Sequence, residues 1–218
     1  MTQKITIGID LDNTIVNYDN VYANLYPSIS NRRDAIENLS KKAFKDYVLD
    51  HFGNDYWTKL QGEIYGPQMN YASLYPGCYE QIKSWLCAGI NVTIVSHRSK
   101  FPYGGQQYNL HSFGKEWIDT HLNEHTKFSN FAYKFCETFD QKIEKINKIL
   151  PIVFIDDLLQ VLSSRDFPSN CRKILFEPNS DESDAVGFQS IYVANSWKHI
   201  GEMVTDQLED FSEDDLKS

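Results

Sequence analysis

The sequence predicts an α/β fold, a doubly wound and mainly parallel sheet with a helical cap inserted after the first strand. Three apolar runs carry this expectation. Ile5, Ile7 and Ile9 alternate with Thr6 and Gly8, and the run stops abruptly at Asp10-Leu11-Asp12-Asn13-Thr14. That is the pattern of a strand delivering polar groups at its carboxyl end. Val92-Thr93-Ile94-Val95 followed by Ser96, and Ile152-Val153-Phe154-Ile155 followed by Asp156-Asp157, repeat the design. Continuous apolar runs suit parallel strands covered on both faces. Helical spacing lies between them, at Tyr79/Ile82/Trp85/Leu86, Trp117/Ile118/Leu122 and Ile143/Ile146/Ile149. Strand–helix alternation of this kind implies right-handed crossovers in one sheet.

The remaining elements follow in chain order. Residues 17–74 break the rhythm. Ile36, Leu39, Ala43/Phe44 and Tyr47/Val48 mark a long amphipathic helix, capped by Ser30 or Asn31 and ended by Gly53. Trp57, Leu60 and Ile64 suggest a second helix, and Pro76-Gly77 marks the return to the sheet. Phe131–Phe135, Ile174–Phe176 and Ile191–Val193 are weaker strand candidates. The expected division is a core of residues 1–16 and 75–205, a cap of 17–74, and an acidic, mobile end from 206 to 218, where Asp206, Glu209, Asp210, Glu213, Asp214 and Asp215 cluster.

Composition narrows the function. The chain has 218 residues, 41% apolar and 23% charged, which is a globular profile. Its net charge, 21 − 30 = −9, argues against a nucleic-acid partner, whose binders usually carry a basic stripe. No apolar run approaches the ~20 residues that span a bilayer, so no membrane role is expected. Cys78, Cys87, Cys136 and Cys171 form no CxxC or close pair and read as free thiols of a cytoplasmic protein.

Ligands of open α/β sheets bind outside the carboxyl ends of the strands. There the three apolar runs bring Asp10, Asp12 and Thr14, then Ser96, then Asp156 and Asp157. Any one of these alone reads as a turn residue or a helix cap. Their conjunction at one edge does not. Four carboxylates in one crevice repel one another and call for a shared cation. Mg²⁺, which takes oxygen ligands and commonly binds one or two carboxylates plus substrate phosphate, is the expected cofactor. An Asp can also act as a nucleophile.

Ile9-Asp10-Leu11-Asp12-Asn13-Thr14 resembles the DxDxT signature of the haloacid dehalogenase superfamily. Ser96 after Thr93-Ile94-Val95 resembles its second motif, Asp156-Asp157 its fourth, and Tyr75-Pro76-Gly77 the return from a type 1 cap. The resemblance spans residues 4–200 and implies a phosphatase. It gives Asp10 the role of nucleophile and metal ligand. Asp12 is then the acid and base, its backbone carbonyl also on the metal, and Thr14 and Ser96 are phosphoryl-binding groups. It implies Asp157 as the direct metal ligand, with Asp156 positioning a metal-bound water or the lysine. Lys142, opening the Ile143/Ile146/Ile149 helix, fits the family's third-motif lysine better than Lys145 or Lys148. An acid at residue 12 points to phosphoryl transfer, since the superfamily's dehalogenases lack one.

Two stretches bear on substrate. One is the aromatic and amide-rich segment Trp57–Pro67, in which Trp57, Gln61 and Tyr65 share a helix face and are candidate pocket residues. The other is the long loop after Ser96, where His97 and Arg98 sit at the phosphate end; Arg could pair bidentately with an anion. Both stretches resemble a branch of small capped phosphatases associated with bacterial surface-polysaccharide assembly. That implies a small phosphorylated metabolite, a sugar phosphate or a phosphorylated precursor. The alternatives are a nucleoside monophosphate phosphatase, a phosphomutase, and a non-catalytic phosphometabolite-binding module.

Overall fold

A computed structural model describes residues 5–30, 41–180 and 191–215. In chain order the elements are β1 (Thr6–Ile9), β2 (Val16–Asn17), α1 (Asp19–Ser30), α2 (Lys41–Ile64), β3 (Ser73–Leu74), α3 (Cys78–Cys87) and β4 (Asn91–His97). Then follow α4 (Leu110–His121), β5 (Phe131–Cys136), α5 (Phe139–Ile149), β6 (Val153–Asp156), α6 (Leu159–Leu162), β7 (Arg172–Phe176), β8 (Ile191–Ala194) and α7 (Trp197–Asp215). Six strands form one sheet in the order β5-β4-β1-β6-β7-β8, and every neighbouring pair is parallel. The α/β class and the three weaker strands are therefore as expected.

The chain falls into two compact units. The first holds residues 1–15, 75–97 and 124–218, and the second residues 16–74 and 98–123. In the first unit β1 is central, and Ile7, Ile9, Val92, Ile94, Val153 and Ile155 are wholly buried. Each such side chain contributes roughly 1.5–3 kcal/mol. Gly8 is a spacing requirement here, since a Cβ on it would lie 2.3 Å from the Phe154 ring of the neighbouring strand. The connection after β1 leads to β4 on one side, and that after β6 leads to β7 on the other. This reversal opens a crevice at the carboxyl ends of β1 and β6. Gly77, at φ 81, turns the returning chain into α3.

In the second unit, α2 breaks at Gly53 (φ 77), where the sequence places the end of its first helical segment. Ser30 is the last residue of α1, and Asn31, Ile36 and Leu39 lie outside the described residues. An antiparallel pair absent from the sequence reading, β2 with β3, joins Val16 to Leu74 and Asn17 to Ser73. Tyr22 stacks on Phe44 at 5.0 Å, and Trp57, buried, meets Phe44 edge-on at 6.3 Å. The segment 98–123, which the sequence division leaves in the core, belongs to this unit. Trp117 donates its indole N–H to the Ala72 carbonyl at 3.2 Å. A Cβ on Gly62 would meet Pro102 at 2.9 Å. The acidic stretch 206–215, expected as a mobile end, continues helix α7.

Arg98 is the hub of the second unit and only 4% exposed. Its guanidinium donates to the carbonyls of Tyr65 (3.3 Å) and Leu110 (3.2 Å) and to the Tyr18 hydroxyl (3.1 Å), and it lies 3.2 Å from Met69 Sδ. Its own carbonyl accepts from His111 Nε2 at 2.8 Å. One side chain thus joins the starts of α1 and α4 to the end of α2. Arg98→Met keeps the apolar stem but leaves several buried acceptors without their donor, and lowers unfolding free energy by about 3 kcal/mol. Denaturant titration checks this, and a variant with an unmoved midpoint contradicts the buried hub.

Candidate active site

Asp10 follows β1 directly, and its backbone N–H donates to the Ile155 carbonyl of β6 at 2.8 Å. The chain then folds over one turn. Ile15 N–H returns to the Leu11 carbonyl at 3.0 Å, and Asn13 takes φ 64, a left-handed conformation that Asn tolerates better than most residues. Asn13 is buried and was no part of the sequence reading of the site; its signal was its type, since Asn in a tight turn after a strand commonly supplies positive φ. On the neighbouring strand Ser96 is fully buried and donates to Asp12 Oδ2 at 3.3 Å.

Lys142, in the first turn of α5, reaches the same edge. The helix starts at Thr138, whose hydroxyl accepts the Gln141 N–H at 3.2 Å. The Lys142 ammonium, 1% exposed, lies 2.6 Å from Asp10 Oδ1 and 2.6 Å from Asp156 Oδ2, and stands 5.9 Å above the Phe154 ring. Asp156 uses its other oxygen to accept the Leu158 N–H at 2.9 Å. One carboxylate oxygen from each of Asp10, Asp156 and Asp157 lies within 4.8 Å of the other two.

The charges do not balance. Burial pushes the Asp10 carboxyl well above the usual range; Lys142 pulls it down, while Asp156, Asp157 and Asp12 add to the rise. Burial alone would depress the Lys142 ammonium, but Asp10 and Asp156 more than offset that and hold it above its ordinary value. The Lys142 ammonium is thus shared by the carboxylates of Asp10 and Asp156, with those of Asp157 and Asp12 close enough to act on Asp10. An all-oxygen donor set short of positive charge suits a hard divalent cation such as Mg²⁺. Among the described residues, three buried side-chain polar atoms lack a hydrogen-bond partner, and Thr14 Oγ1 is one of them.

The structure therefore brings Asp10, Asp12, Thr14, Ser96, Lys142, Asp156 and Asp157 to one edge of the first unit. His97 follows Ser96 and is exposed; partial desolvation and the Lys142 ammonium hold its imidazole below its ordinary value. Arg98 lies in the second unit, its guanidinium donating to the Tyr65 and Leu110 carbonyls and the Tyr18 hydroxyl. There too Trp57 is buried, while Gln61 and Tyr65 are half-buried, Tyr65 edge-on to Tyr18 at 5.3 Å.

No protein-family model matches the sequence, and no curated protein matches it either. Solved structures do. A predicted phosphatase from Clostridium acetobutylicum aligns over 93% of this chain and 99% of its own, with 14% identity and a TM-score of 0.58. The fold is that of the haloacid dehalogenase (HAD) superfamily. A HAD hydrolase of family IA, variant 3, from Entamoeba histolytica aligns over 94% of this chain and 99% of its own, at 14% identity and a TM-score of 0.57. A magnesium-bound HAD-hydrolase from Bacillus subtilis covers 93% and 99%, at 10% identity and a TM-score of 0.54. The alignments run nearly end to end on both sides, so the HAD fold accounts for both units of the chain and not for the sheet alone.

Lys142→Met removes the shared ammonium and leaves two buried carboxylates facing each other. The expected cost is about 3–5 kcal/mol in metal-free buffer, with magnesium raising the variant's melting temperature more than that of the parent. Thermal unfolding with magnesium and with chelator measures both, and a Lys142→Met protein as stable as the parent contradicts the ion triad.

Proposed function

We propose that the protein is a Mg²⁺-dependent phosphatase that hydrolyses a small phosphorylated metabolite through an aspartyl-phosphate on Asp10. The observation that carries this reading is the pairing of Asp10 with Lys142, next to an Asp12 whose carboxylate accepts a hydrogen bond from Ser96. The HAD fold supports it.

Asp10 attacks phosphorus through a carboxylate oxygen. An Asp–O–P bond forms as the ester P–O bond breaks, and the leaving oxygen takes a proton from Asp12. Asp12, now a carboxylate, removes a proton from water as that water attacks the phosphorus. Inorganic phosphate departs and Asp10 is regenerated. Acid–base exchange of this kind typically contributes 10²–10⁴-fold. Lys142 holds Asp10 and offsets charge on the phosphoryl oxygens. Thr14 Oγ1, buried without a partner, and the Ser96 hydroxyl donate to those oxygens. The metal would be held by Asp10, the Asp12 carbonyl and Asp157, Asp156 being engaged by Lys142 and the Leu158 N–H. When bound, it would neutralise charge on the phosphate and the carboxylates around it.

For the substrate we favour a sugar phosphate or a phosphorylated precursor of a surface polysaccharide, with exposed His97 as the substrate-facing group beside the phosphate. Phosphate release from sugar phosphates, amino-alcohol phosphates and nucleoside monophosphates, with magnesium and with chelator, tests this. Metal-dependent release concentrated on sugar phosphates is expected, and a preference for nucleotides would move the assignment to a nucleotidase. Asp10→Asn abolishes turnover while the unfolding midpoint stays that of a folded protein. Substantial activity in that folded variant removes Asp10 as the nucleophile.

A further inference from the structure

We propose that Trp197 is a positioning residue for the phosphoryl-binding turn, acting on Thr14 through its carbonyl; this rests on the phosphatase reading above. Trp197 is the first residue of α7, 183 positions from Thr14, and its indole N–H donates to the Thr14 carbonyl at 3.0 Å. Thr14 Oγ1 is buried and has no hydrogen-bond partner of its own, so the backbone of the turn sets its direction. That backbone is held at three places. Asp10 N–H is fixed to β6, Ile15 N–H closes on Leu11, and the Thr14 carbonyl is fixed by the indole.

The indole is itself rigid. It is 1% exposed and lies 6.2 Å from the Trp85 ring and 6.4 Å from that of Phe176. Ser196, just before α7, caps it, its hydroxyl accepting the His199 N–H and its carbonyl the Ile200 N–H. The strand before α7, β8, is an edge strand, three places from β1 in the sheet. The last helix therefore returns from the sheet edge to hold the turn that follows the central strand. Indole carries a donor and no acceptor, so Trp→Phe removes this one bond while keeping most of the ring.

The test compares wild type, Trp197→Phe, Thr14→Val and the double variant, assayed with p-nitrophenyl phosphate and inhibited by orthovanadate in magnesium buffer. Trp197→Phe is expected to fold, to keep KM within about twofold, and to lose roughly tenfold in kcat with a similar loss in orthovanadate affinity. On the Thr14→Val background the same change adds no further loss, the signature of a residue acting through its neighbour. Unchanged kcat in a folded Trp197→Phe, or a full additive loss in the double variant, overturns the proposal. The Trp197 indole N–H resonance of wild type is expected to move on orthovanadate saturation, and a fixed resonance also overturns it. Absence of phosphate release by wild type would instead sink the phosphatase reading, and the orthovanadate titration would still decide the role of Trp197.

Discussion

The Lys142 ammonium between the carboxylates of Asp10 and Asp156 is the constraint around which the first unit is arranged. It joins a residue after β1, a residue of α5 and the last residue of β6, all nearly free of solvent. Buried ion groups of this kind seldom add net stability, because desolvation offsets much of their attraction. The stability must come from the apolar strands on which they stand. The triad instead fixes the orientation of one carboxylate, and leaves the edge short of positive charge. Burial above all, with the neighbouring carboxylates adding to it, pushes Asp10 up, and one oxygen from each of Asp10, Asp156 and Asp157 forms a fitting seat for a divalent cation.

Packing makes the triad possible. The missing side chain at Gly8 lets the Phe154 ring lie across β1, and the ring face is then available beneath the Lys142 ammonium. Parallel pairing of β1 with β6 sets Ile9 opposite Ile155, so the residues after them, Asp10 and Asp156, leave the sheet side by side. Apolar register and electrostatic arrangement are therefore one feature. Slipping β6 by one residue would turn Asp156 to the other face and break the contact.

Strand ends are local, which is why Asp10, Asp12, Thr14, Ser96, Asp156 and Asp157 were legible in the sequence. Each follows directly from an apolar run that stops. Lys142 was reached only through the resemblance, as the lysine that opens the Ile143/Ile146/Ile149 helix. The role of Arg98 was not legible. In sequence it is a basic residue beside a phosphate-site serine, and its burial depends on acceptors 12, 33 and 80 positions away. The grouping of 98–123 with the inserted module was hidden for the same reason, resting on contacts such as Trp117 with Ala72. The helical form of the acidic stretch 206–215 went unread as well, for helix α7 runs through it although its charges repel one another.

Arg98 and Thr14 illustrate a distinction that sequence cannot draw. Both are polar, both are buried, and both stand within two residues of a junction between the units. Removing a donor from water costs free energy unless a partner replaces the lost hydrogen bonds. Arg98 has those partners inside the protein, and its burial is accounted for by the fold. The Thr14 hydroxyl has none, so its burial is a cost that the folded chain does not offset by itself. A ligand oxygen arriving at that edge would offset it. The Thr14 hydroxyl is left open to the oxygen of a ligand, whereas the Arg98 guanidinium donates to acceptors of its own unit, a difference that two polar residues in a sequence do not display.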